Sequence, residues 1–561
     1  MKRHSFISKS GLITLWVLCL LYQPAQAQTQ DPYTGIWEGT FMNDFRTAIL
    51  LDLKDDGGYA GKILMYNGDM QIQNDEITRI SIENHKLNFY IADKETTFSG
   101  TFDDVFTELS GKFIFPDNSE HPLAVSKVQK EDSAETETRP AQEKQIRKKI
   151  PVDELKLDLQ HLINKLREYH PRLYSHTSED TFNGKVSQTF TSLDADMSLE
   201  EFYLEIAPLV ASVKCSHTGI RLPADYQSFI SESGNFLPLD LFIRGKKAFS
   251  LSYYGTEEVG LVPGIEILSI NQRPVSQIIE DLLTMIPAEG NCQTTKYHEI
   301  NRDFHTYFYL VDHSDSFDIE FISSSSPQNT VVEACKYKDL KREVVTGSKL
   351  PVHFQLDAGP EVSILKVSSF GIRDMEAYLT LLDTTFQRLE KESIPNLVVD
   401  LRDNSGGHPI FAAQLFSYLT DQKFTYFQRN PDVADFEPLY NSMQPNQNHY
   451  DGNLYVLVNG ACLSTTGHLI SLLKYHTHAL FIGEEPGSSF LCNDFSTQFI
   501  LPKTGIEVNI PRTTFVTAVS GFDEKLPFPL DYKVDISVQD VLNNKDSYLL
   551  YMQALLSENR L

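Results

Sequence analysis

Two short stretches of the chain combine glycine, acidic and hydroxyl residues in a way that could stabilise a developing anion. The first, Asp400-Leu-Arg-Asp-Asn-Ser-Gly-Gly407, overlaps the end of the apolar run Leu397-Val-Val-Asp-Leu401. Paired glycines after a strand let backbone N–H groups come close to a ligand and turn toward its charge. The second, Val458-Asn-Gly-Ala-Cys-Leu-Ser464, follows the apolar run Asn453-Leu-Tyr-Val-Leu-Val-Asn459 and leads into a helical pattern over 464–475. Ser464 would then stand at a helix N-terminus, beside N–H groups with no intrahelical acceptor. Two roles fit it there. Serine is a preferred N-cap, and a hydroxyl beside free donors can attack a carbonyl if a base is at hand. His468, His476 and His478 follow closely, but not at metal-ligand spacing, so neither a metal nor another cofactor is expected.

The elements that must position these stretches alternate strand and helix. Val362-Ser-Ile-Leu-Lys-Val367 reads as a strand, 373–392 as a helix, 409–419 as a helix, and Ala479-Leu-Phe-Ile-Gly483 as a further strand. Continuous apolar strands between helices predict a layered α/β core, whose strand ends are the places for chemistry. Before it, 223–345 reads as short strands and 151–222 as a small helical segment, with Leu155, Leu157, Leu159, Leu162, Ile163 and Leu166 at near-helical spacing. The stretch 129–150 is highly charged and nearly free of apolar residues, which predicts a linker. Residues 28–128 carry evenly spaced β segments, predicting an antiparallel meander or barrel. Its opening Gly35-Ile-Trp-Glu-Gly39 resembles that of lipocalin-like barrels. The fold class is thus multidomain α+β.

The 561 residues carry 49 basic and 76 acidic side chains, a formal charge of −27 that disfavours nucleic acid and anionic membrane surfaces as partners. The start carries Lys2, Arg3 and Lys9, then the run Gly11-Leu-Ile-Thr-Leu-Trp-Val-Leu-Cys-Leu-Leu21, then Ala25-Gln-Ala27. That is the pattern of a cleaved signal peptide over 1–27, and it predicts export to the periplasm or beyond with no membrane span. The remaining cysteines, at 215, 292, 335, 462 and 492, are scattered and read as small buried side chains.

Read together, Val398-Val-Asp-Leu-Arg-Asp-Asn-Ser-Gly-Gly407, Tyr455-Val-Leu-Val-Asn-Gly-Ala-Cys-Leu-Ser-Thr465 and Phe481-Ile-Gly-Glu-Glu-Pro-Gly487 resemble the core of the tail-specific (C-terminal processing) serine peptidases. Glu168-Tyr-His-Pro-Arg-Leu-Tyr174 and Val213-Lys-Cys-Ser-His-Thr-Gly-Ile220 are similar to that family's helical segment. Residues 223–345, with Gly264, Ile267, Ile270, Asn271 and Pro274, resemble its PDZ-type domain, leaving 346–561 as the peptidase core. One branch pairs its serine with a lysine just beyond the segment occupied here by Gly483-Glu-Glu-Pro-Gly-Ser-Ser489, which has none. The branch similar to the tricorn core instead uses a histidine preceded by a serine.

The resemblance therefore implies Ser464 as nucleophile, His217 as general base preceded by Ser216, and Glu524 as orienting acid with Asp523 as competitor. It implies oxyanion donors from Gly406, Gly407 and Thr465, and protein or peptide substrates. Gly467 stands where the family often has glutamate. Two rival readings are a non-catalytic peptide- or lipophile-binding protein on the same scaffold, and an acyl-CoA hydratase or thioesterase, which export disfavours.

Overall fold

The computed structural model describes residues 31–557 except 42–44, 55–57, 68–69, 104, 117–118, 129–147, 258, 324, 341–351, 356–360, 373 and 431–433. The expected leader and most of the charged stretch 129–150 lie outside the described residues. The chain divides into two compact units, Met1–Arg139 and Pro140–Leu561.

In the first unit, strands Gly35–Phe41, Phe45–Leu53, Tyr59–Asn67, Met70–Glu83, Lys86–Ile91, Thr96–Phe102, Glu108–Ile114 and Glu120–Val128 (β1–β8) form a closed antiparallel barrel, β1 pairing with β8. Closure follows from alternation. In β6 the pattern Thr96-Thr-Phe-Ser-Gly-Thr-Phe102 buries every second residue. The interior is filled by side chains, with Phe98 stacked on Phe89 at 4.9 Å and Trp37 against Phe102 at 4.7 Å.

The second unit begins with helices Val152–Tyr169, Glu179–Ser192 and Leu199–Ala211 (α1–α3). A capping box closes the start of α3, where Ser198 and Glu201 each bond the other's backbone N–H. Strand Gly219–Arg221 (β9) then joins a three-stranded sheet with Thr497–Ile500 and Glu507–Ile510 from the far end of the chain. Leu155, Leu162 and Phe202 share one core with Leu501, Ile506 and Ile510, which ties the helices to that end.

Next, helix Ala224–Ser233 (α4) leads to strands Leu239–Arg244, Lys247–Tyr253, Glu266–Ile270, Arg273–Pro274, Ser316–Ser323 and Ser326–Glu333 (β10–β15), which form one sheet. This segment, expected as short strands, also carries helices Val275–Met285 and Gln293–Val311 (α5, α6). The correction has a physical cause. The apolar side chains of α5 (Val275, Ile278, Ile279, Leu282) fall at helical spacing and are buried in the core under the sheet, and a β-rich neighbourhood hid that period.

The core sheet has the order Val352–Gln355, Val362–Val367, Asn396–Asp400, Asn453–Val458, Leu480–Gly483, Tyr532–Lys533 (β16, β17, β18, β21, β22, β27). All neighbours after the antiparallel β16–β17 pair run parallel. Strand β18 is buried along its whole length, as a parallel strand covered on both faces must be. Helices Met375–Lys391, Pro409–Ser417 and Thr465–His476 (α7–α9) connect the strands. Two short ribbons complete the unit: Phe424–Thr425 with Ser442–Met443 (β19, β20), and Leu491–Asp494 with Thr513–Val516 (β23, β26). Strands Thr497–Ile500 and Glu507–Ile510 are β24 and β25. The multidomain α+β class expected from the sequence is the one observed.

At the exit of β18, Arg402 bonds both Asp400 and Asp546 at 2.7–2.8 Å, with its guanidinium 4.9 Å over the Tyr548 ring. The pairing holds the terminal helix Ser547–Ser557 against the strand end that leads to the glycine pair. Among the described residues no helix is long and apolar enough to cross a membrane.

Candidate active site

Ser464 occupies the turn between β21 and α9 with φ +53° and ψ −126°, and its side chain makes no capping hydrogen bond. A non-glycine residue rarely adopts that conformation, which costs on the order of 1–3 kcal/mol. The N-cap alternative therefore fails, because the hydroxyl does not cap the helix. The backbone is held by its neighbours: Ser464 N–H donates to Ser488 Oγ at 3.1 Å. A Cβ at Gly467 would lie 2.6 Å from the Ser488 carbonyl carbon, which explains why no larger residue stands there.

The paired glycines meet this turn. Gly406 has φ +105°, and a Cβ there would come within 2.8 Å of Ser464 Cβ. Its N–H is donated to Asn404 Oδ1 at 2.9 Å, so Gly406 supplies close approach and not a free donor. The N–H groups of Gly407 and Thr465 have no acceptor among the described residues. Thr465 Oγ1 donates to the Gly407 carbonyl, linking these two peptides. The expectation of three donors is thereby reduced to two.

His217 arrives from the loop between α3 and β9. Asn509 Nδ2 donates to its carbonyl at 2.7 Å, and Gly290 N–H donates to Lys214 O at 3.0 Å. Its Nδ1 stands 3.3 Å from Ser216 Oγ, and its Nε2 stands 3.9 Å from Asp494 Oδ2. The Cys492 thiol reaches both expected partners, 3.8 Å from Ser464 Oγ and 3.7 Å from His217 Nδ1. Burial raises that thiol well above its ordinary range, so it is a neutral spacer and no thiolate. Cys462, two residues before Ser464, donates to Leu401 O at 3.1 Å and is likewise neutral through burial.

The acid expected from the sequence lies elsewhere. Glu524 accepts from Arg172 Nη2 through both carboxylate oxygens at 2.7 and 2.6 Å, and Asp523 receives the Lys525 N–H in a local turn. The carboxylate that reaches the Ser216–His217 pair is Glu289, in the loop between α5 and α6. Its Oε2 accepts the Ser216 N–H at 3.3 Å and hydroxyl at 3.2 Å. Its Oε1 faces His176 Nε2 at 3.8 Å. Beside it, burial holds the His170 imidazole down at about 4, against the opposing pull of Glu289.

His468, one turn beyond Ser464, is buried with neither ring nitrogen hydrogen-bonded. Burial first, and the nearby His217 second, bring it down to about 3. Among the described residues no group of His, Cys, Asp or Glu side chains is arranged to hold a metal ion. A hydroxyl on a strained turn, an imidazole separated from it by one thiol, and two unengaged N–H groups are the components of acyl transfer.

Residues 361–518, which contain the glycine pair, Ser464 and Cys492, match Peptidase family S41. No curated protein matches the chain. Among solved structures, mature CPAF complexed with lactacystin is similar in fold, with a TM-score of 0.53 at 13% identity over 72% of this chain and 98% of that one. The photosystem II D1 C-terminal processing protease matches at 17% identity over 68% of this chain and 93% of that one, with a TM-score of 0.35. Residues 361–518 thus match the S41 serine peptidase family, and over most of its length the chain shares the fold of mature CPAF.

Proposed function

We propose that the chain cleaves protein or peptide substrates through a Ser464–His217 pair, in the manner of the lysine-free, tricorn-like branch. The observation that carries this reading is the conformation of Ser464. Its strained backbone is combined with a hydroxyl that does not cap its helix, at a turn beside the Gly407 and Thr465 N–H groups, which have no acceptor among the described residues. Strain of this kind persists only where the surroundings impose it, and it concentrates at catalytic turns.

The hydrogen bonds at Ser216 support one proton path. Ser216 donates its hydroxyl proton to Glu289, so its oxygen is left to accept from His217 Nδ1–H. On this reading the lone pair is on Nε2, which faces Asp494 Oδ2 at 3.9 Å in the substrate-free structure, so the imidazole has to shift toward Ser464 when substrate binds. After that shift Nε2 takes the Ser464 proton as Oγ attacks the scissile carbonyl carbon, and the oxyanion receives the Gly407 and Thr465 N–H groups. The imidazolium then gives its proton to the leaving amine as the C–N bond breaks, and water attacks the acyl-enzyme by the same route. The spacing left by Cys492 belongs to the substrate-free state, in which catalytic hydrogen bonds are commonly long.

Export follows from the basic and apolar pattern of residues 1–27, and it would place the activity in the periplasm or outside the cell. Hydrolysis of a denatured protein such as casein tests the reading. The wild type releases peptides, whereas a folded Ser464→Ala variant retains only a background lower by about 10⁴-fold or more. Equal hydrolysis by the two would remove Ser464 from the chemistry.

A further inference from the structure

An aromatic wall runs beside Ser464 that the acyl-transfer steps do not use. Phe495 follows Asp494, the residue facing His217 Nε2. Its backbone has φ +53°, and its ring is 37% exposed. A bulky residue in the left-handed region is an outlier, and this one holds a phenyl ring at the surface instead of in the core. The ring stacks on Phe436, centroids 5.6 Å apart at 9°.

Phe436 in turn lies 5.4 Å from His408, the neighbour of Gly407, and 5.5 Å from Phe515, the strand partner of Cys492. Phe427 continues the wall to His468, 5.0 Å away and one turn beyond the nucleophile. The rings thus start at the oxyanion loop, pass the strand beside Ser464, and end next to the residue facing the base.

We propose that Phe495 and Phe436, backed by Phe515 and edged by His408, form the subsite for a large apolar side chain of the substrate beside the scissile bond. This inference rests on the peptidase reading above and names what that site prefers. Offset and edge-on ring contacts favour an aromatic or branched aliphatic occupant. Burial lowers the His408 imidazole below its ordinary value, so the His408 edge adds no positive charge at neutral pH. An acidic side chain would lose its water there without gaining a partner. It would in addition face Asp494.

The test uses the full chain and internally quenched peptides identical except for Phe, Leu, Ala or Asp at the cleaved position, with the cut bond read by mass spectrometry. In the wild type, kcat/KM for Phe and Leu should exceed that for Ala by about tenfold or more, with Asp the poorest. Phe495→Ala, at an exposed position, should bring the Phe-to-Ala ratio down to about two, and Phe495→Leu should keep most of it. A wild type without preference, or a Phe495→Ala ratio equal to the wild type's, overturns the proposal. Uptake of a fluorophosphonate at Ser464 is measured in the same preparation. Labelling without preference overturns the subsite alone, and absence of labelling overturns the peptidase chemistry and the subsite with it.

Discussion

Glu289 accepts hydrogen bonds from both the backbone N–H and the hydroxyl of Ser216, across 73 residues of sequence. One carboxylate thereby fixes the residue that holds His217, and it does so without touching the imidazole or the substrate. Glu289 is a positioning residue on this reading, and its influence should appear in turnover more than in binding.

Glu289→Gln keeps the shape and removes the charge, so Ser216 loses its anionic acceptor. We expect kcat to fall by about 10- to 100-fold with KM nearly unchanged. Glu289→Asp should recover part of the loss. Ser216→Ala should cost a similar factor, and the double variant no more than either single one, because the two act as one unit. Additive losses would show that Glu289 supports the fold by another route.

Gly407 has φ +138°, and a Cβ there would meet the Phe370 carbonyl carbon at 2.2 Å. Gly407→Ala must therefore move the loop and turn one of the two free donors away from the oxyanion. Turnover should drop by about 10²- to 10³-fold, with a smaller change in KM. Steady-state kinetics beside a thermal melt separates this from unfolding. Unchanged kcat in a folded variant would leave the glycines a role in the turn alone.

Acid should weaken the fold through His468. In the unfolded chain its imidazole takes a proton near 6.5, whereas burial holds the folded group at about 3. Below about pH 6.5 the unfolded state thus binds the extra proton, and stability falls with falling pH until the folded group also titrates near 3. The slope from this residue is at most roughly 1.4 kcal/mol per pH unit. Urea unfolding at pH 7 and pH 5 should show the gap between wild type and His468→Leu shift by about 1–2 kcal/mol in favour of the variant. A gap that does not move would contradict the buried neutral imidazole. His170, held at about 4, should add to the acid sensitivity of both proteins.

The proposed nucleophile, base, positioning acid and oxyanion donors all lie within Pro140–Leu561, the second compact unit. Residues 151–561 expressed alone should fold and hydrolyse a small generic substrate at a rate within about threefold of the full chain. A folded but inactive fragment would assign the barrel a part in completing the site.

How much of this was readable beforehand follows from what each feature depends on. The parallel strands around Val398 and Val456 were legible because a strand buried on both faces is apolar throughout. The glycine pair and Ser464 were legible as a motif. The conformation of Ser464 was not, since serine is equally at home as an N-cap, and only φ and the missing capping bond decide between the two. Glu289 was missed because its partnership with Ser216 is tertiary and its loop joins two helices hidden in a segment read as strands. Glu524 matched by its place in the chain, yet Arg172, more than 300 positions earlier, takes both of its oxygens. Phe436, Phe495 and Phe515 come from three separate segments, and no local spacing announces that they meet.

The most direct measurement of the central claim is covalent capture. The full chain and a His217→Ala variant, both verified as folded, are treated with an active-site fluorophosphonate and mapped by peptide mass spectrometry. The account predicts that the wild type carries the adduct on Ser464 and on no other serine, and that His217→Ala labels slower by about 10³-fold or more, since a neutral hydroxyl needs its base. An adduct elsewhere, or equally fast labelling of Ser464 without His217, would contradict it.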